Sequence, residues 1–262
     1  MKTVVFPIAF LLALISGCEK DDISSAYPSI YPRLPSATLE KMRSSFTARN
    51  PFISSSLNDF GFCDFYGDLS NVAIPPKNGP VTEQIAIETA VNFIKTNKKE
   101  TGVYNPNHLS FCEISSDTIY DGSVMWHLRS ENQKYDTIEV LYTSIVLHLT
   151  NGYVTSCYGN WYPEINVPHT LRISRDNAKT KLVGKTVTHY TFSGAKYYVN
   201  ITKNNLDACS VNLKILPLAS EGKIELRVCW VIDIPDPIYY KMYVDALSGE
   251  IVQTEPTIVS IL

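Results

Sequence analysis

The feature that most constrains this sequence is a pattern that occurs twice. In each half, a segment with helical periodicity precedes several strand-like runs, and the runs close at a tight-turn signal, Asn151-Gly152 first and Ser248-Gly249 second. Asn-Gly between apolar runs is a strong hairpin signal because both residues accept positive φ. One helix followed by antiparallel strands forms an α+β unit whose helix covers one face of the sheet. We therefore predict an α+β protein of two related units, each a curled antiparallel sheet packed on one helix.

The helices that open the two units have recognisable starts. Thr82 and Ser174 each precede a helical pattern, and both hydroxyls can accept an early backbone N–H of the helix. Gly102 is a plausible stop for the first helix. A further short helix is expected over residues 36–50. The first helix has its apolar residues three and four apart, as one helical face requires: Ile87, Ala90, Val91 and Ile94.

Two further features support the repeat. Trp126 and Trp230 lie in strand-like runs at similar places in the two halves. Asp245 ends the strand before the second closing turn, where a short carboxylate can accept backbone N–H bonds. Gly249 can supply the positive φ that such a turn needs. We therefore assign Asp245 a role in the turn rather than in catalysis.

The N-terminus has the features of a secretory signal. Lys2 precedes an apolar run over residues 4–15, which is too short to span a bilayer as a mature helix but suits a signal peptide. The run ends in Ile15-Ser16-Gly17-Cys18, which resembles a bacterial lipobox. The resemblance implies removal of residues 1–17 and acylation of Cys18, so that membrane lipid holds the chain without a spanning segment.

The residues after Cys18 are acidic and then rich in proline and serine. Glu19-Lys20-Asp21-Asp22 resembles the export signal of surface lipoproteins in Bacteroidota, although short charged runs are also typical of solvated tethers. We interpret residues 18–36 as an acylated N-terminus and flexible tether. The expected location is the outer membrane, with the folded part exposed at the cell surface.

Five cysteines remain once Cys18 is set aside, and an exported protein permits disulfides. Cys209 and Cys229 flank two strand-like runs and could bridge. The odd number leaves at least one thiol unpaired or paired between chains, and sequence alone does not fix the connectivity. The absence of a C-x-x-C motif argues against a zinc ribbon.

The end of the chain resembles a PepSY domain. The runs RVCWVIDI and YYKMYVDALSGEIVQ supply the apolar strand, the tyrosine-rich strand and the V-D-A-x-x-G turn with which those domains close. Residues 169–262 would form this domain, whose fold is PepSY-like or cystatin-like.

The half before it, residues 37–168, is similar to the propeptide domain of fungalysin and thermolysin. Residues 66–70 (YGDLS) and the helix ETAVNFIKTN fit the opening of that domain, and SIVLHLTNGYVTSCYGNWYPEI fits its closing strands. The order of the two domains matches the prosegment of thermolysin-type metallopeptidases.

The peptidase chemistry itself is not encoded. The zinc site of that family needs H-E-x-x-H on a helix, which does not occur in this sequence. A G-x-S-x-G elbow and a phosphate-binding glycine loop are also absent. We therefore expect no catalytic residues, no metal and no cofactor. The net charge of −3 and the lack of a basic stripe give no reason to expect nucleic acid.

The resemblance implies a peptidase partner, for instance a metallopeptidase that the protein inhibits or helps to fold. Trp161 and Tyr162, just after a hairpin, are the candidates for an exposed contact patch. Residues 253–262 could insert into a partner's cleft, or could be a last strand or a frayed end. The alternative is an envelope module that binds peptide or glycan without a protease partner. An enzyme with an unrecognised Cys or His site is the third hypothesis.

Overall fold

The computed structural model describes residues 27–64, 74–75, 79–119, 122–190, 196–220, 222–235 and 238–257. The protein is α+β, as predicted. No helix in these ranges is long and apolar enough to cross a bilayer. The helices are α1 (Ser36–Arg49), α2 (Glu83–Thr96), α3 (Lys98–Thr101), α4 (Arg175–Thr180) and α5 (Lys203–Asp207).

Most of the strands belong to two sheets, one of four strands and one of seven. In chain order they are β1 (Ile30–Pro32), β2 (Ser56–Leu57), β3 (Cys63–Asp64), β4 (Phe111–Thr118), β5 (Val124–Ser130), β6 (Lys134–Tyr135), β7 (Ile138–Val140), β8 (Val146–Thr150), β9 (Tyr153–Tyr158), β10 (Thr186–Tyr190), β11 (Lys196–Asn200), β12 (Ser210–Ser220), β13 (Lys223–Ile234), β14 (Tyr240–Asp245) and β15 (Ile251–Pro256).

Two units of the same order follow one another. In the first unit, β4-β5-β8-β9 form an antiparallel meander that packs on α2. In the second unit, β12-β13-β14-β15 form the same meander, and α4 packs on β13. The prediction of two related units, each with antiparallel strands packed on a helix, is confirmed. The hairpin β10-β11 and the helix α5 lie between α4 and β12, and the first unit has no such pair there.

The two tryptophans occupy equivalent positions in detail. The indole Nε1 of Trp126 donates to the carbonyl of Val81 at 3.2 Å, and Nε1 of Trp230 donates to the carbonyl of Ile173 at 2.8 Å. Each carbonyl directly precedes the residue that caps the helix of its unit, Thr82 for α2 and Ser174 for α4. Both predicted caps are confirmed. In each unit the same bond therefore ties the second strand of the sheet to the start of the helix.

The closing hairpins share an irregularity as well. Trp126 pairs with Leu149, and Trp230 pairs with Val244. In both hairpins the register shifts immediately before that partner, between His148 and Leu149 in one and between Tyr243 and Val244 in the other. Bulges re-aim side chains and increase local twist. Matching bulges at matching positions strengthen the case for a structural duplication.

The units differ most between the second and third strands. In the first unit this connection is residues 131–145, which we call the crossing segment. It carries β6 and β7, and β7 pairs in parallel with β12 of the second unit, with Glu139 opposite Lys214 and Val140 opposite Ile215. A strand from the first half thus extends the sheet of the second. The predicted boundary between residues 168 and 169 does not separate the two sheets.

The N-terminal segment becomes part of the folded structure at an earlier residue than predicted. Tyr27 is fully buried, and β1 pairs antiparallel with the start of β13, with Tyr31 opposite Ile224. Ser29 Oγ accepts from the backbone N–H of Asn166 at 2.6 Å. The prediction of a flexible tether to residue 36 is therefore wrong from Tyr27 onward. Cys18 and residues 66–70 lie outside the described residues.

The C-terminal segment is mostly a strand. β15 pairs along β14, with Gln253 opposite Tyr243 and Pro256 opposite Tyr240. Of the two alternatives for residues 253–262, the first four residues form a last strand rather than a free inserting tail. Residues 258–262 lie outside the part of the chain that the structure describes.

The turn role of Asp245 is confirmed. Its Oδ1 accepts from the backbone N–H groups of Leu247 and Ser248, both at 2.8 Å, and Gly249 has φ +72°. The carboxylate is also fully buried, which the sequence does not indicate. Tyr27 donates its hydroxyl to Oδ1 at 3.1 Å. Oδ2 accepts no hydrogen bond within the described ranges, but it lies 3.5 Å from the guanidinium Nη1 of Arg227, which compensates its charge.

The equivalence of the tryptophans can be tested by removing each indole donor. Trp126→Phe and Trp230→Phe should each lower the free energy of unfolding in urea by about 1 kcal/mol, because each leaves a carbonyl without its donor. Tyr104→Phe, at an exposed side chain, is the control and should have little effect. A loss confined to one of the two tryptophans would contradict the equivalence.

The two roles of Asp245 predict that its Ala and Asn variants lose stability to different degrees. Asp245→Ala removes both the turn acceptor and the charge, and should cost about 3–5 kcal/mol, because three buried donors lose their acceptor and Arg227 loses one of its two buried carboxylates. Asp245→Asn keeps an oxygen for the turn and should cost less, about 1–3 kcal/mol. Urea unfolding of the three proteins gives the order. An Asn variant as unstable as the Ala variant would show that the turn bonds contribute nothing.

Candidate functional site

The sheet faces turned away from the helices form the candidate site. In the first unit, the residues that alternate with the core side chains line a cavity of about 580 Å³. In the second unit, the corresponding face lines a cavity of about 200 Å³. Tyr142 of the crossing segment lines both. We call this combined surface the outer groove.

A histidine pair lies in the first half of the groove. His127 on β5 is directly opposite His148 on β8, and His127 Nδ1 is 2.9 Å from His148 Nε2. The carboxylate of Glu113 is 3.9 Å from the other nitrogen of His127 and 4.0 Å from Arg129. Burial, and then the proximity of His127, lower the pKa of His148 below its usual 6.5. His148 therefore favours the neutral state near neutral pH.

Tyr142 forms the ridge between the two halves. It has φ +60°, which is rare for a bulky residue, and its side chain is 53% exposed. Its hydroxyl lies 2.8 Å from that of Tyr243 and donates to Glu255 at 3.2 Å. Tyr243 donates to the same carboxylate at 2.6 Å, and Lys241 pairs with it at 3.4 Å. Burial is the main cause that raises the pKa of both tyrosines, so both hydroxyls keep their protons.

Hydrogen bonds within the crossing segment hold Tyr142 in this conformation. Asn132 Oδ1 accepts from the backbone N–H groups of Thr143 at 3.1 Å and Ser144 at 3.0 Å. Asn132 also donates to Glu139 at 2.7 Å. Although burial acts to raise the pKa of Glu139, its bonds with Lys214 and Asn132 lower it. Glu139 is therefore ionised, and its 2.5 Å contact with Lys214 joins the segment to the second unit.

Apolar contacts beneath the ridge add to this anchoring. Leu216, Cys229, Val231 and Tyr243 form a small buried cluster on the outer face of the second sheet, and Leu141 packs against it. Leu141 also donates its backbone N–H to the carbonyl of Ile215 at 2.9 Å. The crossing segment thus covers apolar surface that the second unit would otherwise expose, and it presents Tyr142 from a fixed base.

The predicted contact patch at Trp161 and Tyr162 is wrong, because both side chains are buried. Trp161 is 8% exposed and packs in the core of the first unit, while Tyr162 is 1% exposed. Trp161 donates its backbone N–H to Thr101 at 3.1 Å. Tyr162 exchanges backbone bonds with the side chain of Gln133 at 2.7 and 2.9 Å. Tyr162 belongs to a cluster that also contains residues of the second sheet, and neither side chain is available to a partner.

The bridge between Cys209 and Cys229 is not formed in the structure, which holds both as free thiols. Cys229 lies opposite Lys214, whereas Cys209 precedes Ser210 at the far end of β12. Five residues of strand, at about 3.3 Å each, separate the two positions by roughly 17 Å. A disulfide needs Cα atoms within about 7 Å. Cys209 instead donates its thiol to the carbonyl of Leu206 at 3.0 Å.

The groove has the chemistry of a binding surface. Among the described residues, no group of three or more His, Cys, Asp or Glu side chains could hold a metal ion. Side chains of both charges line its two halves, Glu113 and Arg129 in one and Lys241 and Glu255 in the other. Tyrosine, histidine and amide groups between them can donate and accept hydrogen bonds. The groove was not predicted from the sequence. The polar residues that alternate with apolar ones around His127 and His148 were the pattern that could have indicated it.

No protein-family model and no curated protein matches this chain. Among solved structures, it is similar to the Bacillus megaterium YpeB C-terminal domain, at 15% sequence identity and a TM-score of 0.32. The similarity covers 86% of this chain and 98% of that one. At that TM-score the likeness carries no argument about function.

The lowered pKa of His148 predicts a pH dependence of stability. The folded state disfavours the charged imidazole, so its contribution is present above the unfolded pKa of about 6.5 and is lost as pH falls through the folded value. Urea midpoints should therefore fall between pH 7 and pH 5, and His148→Gln should flatten the fall. His169→Gln, at an exposed histidine, is the control and should keep it. A wild-type slope in His148→Gln would contradict the assignment.

Proposed function

We propose that this protein is a non-catalytic binding module that holds an extended segment of a partner protein in the outer groove. A secreted or surface peptidase is the partner class that the resemblance to PepSY and propeptide domains implies. Binding would modulate the peptidase, by inhibition or by assistance in folding.

The observation that carries the proposal is that one residue, Tyr142, lines both cavities, one in each unit. Two open cavities of about 580 and 200 Å³ meet at the half-exposed Tyr142. The larger cavity falls within the range of about 300–1,000 Å³ that is typical of ligand pockets, and the smaller one lies below it. An extended polypeptide places side chains alternately on its two sides. Side chains from one side of a bound segment could therefore occupy the two cavities while its backbone crosses the Tyr142 ridge.

The strained conformation of Tyr142 supports a role in binding. Non-glycine residues at positive φ cost about 1–3 kcal/mol and persist where the surrounding structure determines them. Here the hydrogen bonds of Asn132 and the contact between Tyr142 and Tyr243 do so. A tyrosine held in one orientation loses little entropy on binding, and tyrosine is enriched among residues that dominate interface energetics.

We further propose that the protein acts as a lipoprotein. Acylation of Cys18 would hold it at the outer membrane, and the acidic residues after Cys18 would direct it to the cell surface. Incorporation of a labelled fatty acid into the wild-type chain, and its loss in Cys18→Ser, would test the anchor independently of the partner.

Tyr142→Ala tests the groove and has a matched control. Tyr104 is 55% exposed against 53% for Tyr142, and it lies outside both cavities. The immobilised chain from residue 19 onward should retain a secreted metallopeptidase from the source cell, and the free chain should inhibit it. Tyr142→Ala should weaken inhibition about 30-fold or more, since truncation of a central interface tyrosine costs 2 kcal/mol or more. Tyr104→Ala should inhibit like the wild type.

Other outcomes would redirect the proposal. Retention of a glycan or of non-peptidase proteins, while peptidases pass through, would support the alternative, an envelope module for peptide or glycan. Equal inhibition by the two tyrosine variants would place the binding surface elsewhere. Turnover of a substrate that is lost on mutation of a single Cys or His would indicate an enzyme and would contradict the proposal.

A further inference from the structure

Two of the cysteines lie side by side in the core of the first unit. Cys63 on β3 is 1% exposed and Cys157 on β9 is fully buried, and both belong to the same apolar cluster. The structure holds both as free thiols, and β3 packs on β9. The thiol of Cys157 is close enough to that of Cys63 to raise its pKa. Two buried cysteines on packed strands, far apart in sequence, are candidates for a disulfide.

The backbone around the pair is fixed by other bonds. Ser54 donates its backbone N–H to the carbonyl of Thr155 at 2.9 Å. Ser55 Oγ accepts the backbone N–H of Cys157 itself at 2.7 Å. Leu57, two residues further on, pairs with Cys63. The segment that carries β2 and β3 is therefore held along β9 independently of the sulfurs, and Cys63 reaches Cys157 because that segment turns back on itself.

The remaining cysteines that the structure describes are poor alternatives. Cys112 lies exposed on β4 and donates its thiol to the carbonyl of Arg129 at 3.5 Å. Cys209 and Cys229 are separated along their strands, as described above. Cys229 belongs to the cluster under the crossing segment in the second unit, whereas Cys157 lies in the core of the first.

We infer that Cys63 and Cys157 form a disulfide, an inference that rests on the proposed export of the protein. The oxidant would be the disulfide of an envelope thiol–disulfide oxidoreductase. The thiolate of one cysteine attacks that disulfide, which gives a mixed disulfide and expels one thiolate of the oxidoreductase. The second cysteine then attacks the mixed disulfide, so the chain loses two protons and two electrons and the oxidoreductase leaves as a dithiol.

The burial of the pair indicates when the bond forms. The contact with Cys157, and then burial, raise the pKa of the Cys63 thiol well above its usual value, so the folded protein holds little of the reactive thiolate. Thiol–disulfide exchange with the oxidoreductase therefore takes place during folding, before the core packs and while both sulfurs are accessible. Once formed, the bond is shielded from reductants by the same packing. It joins the segment after α1 to the last strand of the first unit.

The test is a direct map of the thiols. The full chain, with its own leader, is expressed in the source cell, denatured in the presence of an alkylating reagent and digested without reduction. Mass spectrometry should find a linked peptide pair that contains Cys63 and Cys157 in the wild type and in the control Cys112→Ser. The pair should be absent from Cys63→Ser and Cys157→Ser. Full alkylation of both thiols in the wild type would overturn the inference, as would linkage of either cysteine to a different one.

A refolding experiment covers variants that fail to accumulate in cells. The reduced chain from residue 19 onward is refolded in a buffer of glutathione and glutathione disulfide, and its thiols are mapped in the same way. The expected product is the bond between Cys63 and Cys157, with a higher urea midpoint than the reduced chain. A product without this bond would overturn the inference.

Discussion

A buried negative charge is the constraint around which the second unit is built. The carboxylate of Asp245 is removed from water, and an unpaired charge there would be costly. Its compensation comes from distant parts of the chain: two backbone N–H groups of its own turn, the hydroxyl of Tyr27 and the guanidinium of Arg227. Arg227 in turn contacts the buried carboxylate of Glu225 at 2.6 Å. Three parts of the chain must therefore assemble together: the closing turn, β13 and the N-terminal segment. Each supplies a group that replaces part of the water lost by the carboxylate.

The two units show how a repeated element can diverge. The bond from tryptophan to the start of the helix, the four-strand order and the hairpin bulge are common to both. The crossing segment occurs between β5 and β8 only, and it changes what the repeat can do. By adding β7 to the edge of β12, it joins one sheet to the next and gives the outer surface a ridge at Tyr142. Without that insertion, the second sheet would expose the apolar cluster around Tyr243 that Leu141 now covers.

The parts of the fold that the sequence predicts are the parts that local chemistry determines. Thr82 and Ser174 cap their helices, and Asn151-Gly152 and Asp245 form turns, because each acts on backbone within a few residues. The predictions that were wrong concern contacts between residues far apart in the sequence. Trp161 and Tyr162 follow a hairpin, a position that predicts exposed side chains. The chain instead packs closely there, because Gly102 leaves space for the Trp161 carbonyl. A Cβ at residue 102 would lie only 1.7 Å from that carbonyl oxygen. The pairing of β7 with β12 could not be predicted either, since a three-residue parallel strand has no periodicity to detect. The outer groove depends on that pairing, so it was missed as well.

If Cys18 carries acyl chains, as proposed, the burial of Tyr27 sets the maximum distance between the membrane and the folded protein. Tyr27 lies nine positions after Cys18 in the sequence. A fully extended chain spans at most about 3.3–3.6 Å per residue, so the folded body could rise no more than about 30 Å above acyl chains carried by Cys18. That distance is close to the hydrocarbon thickness of one bilayer. The folded protein would thus stay within the layer of headgroups and surface polymers just outside the membrane. A bound peptidase would be concentrated in that layer rather than released into the medium.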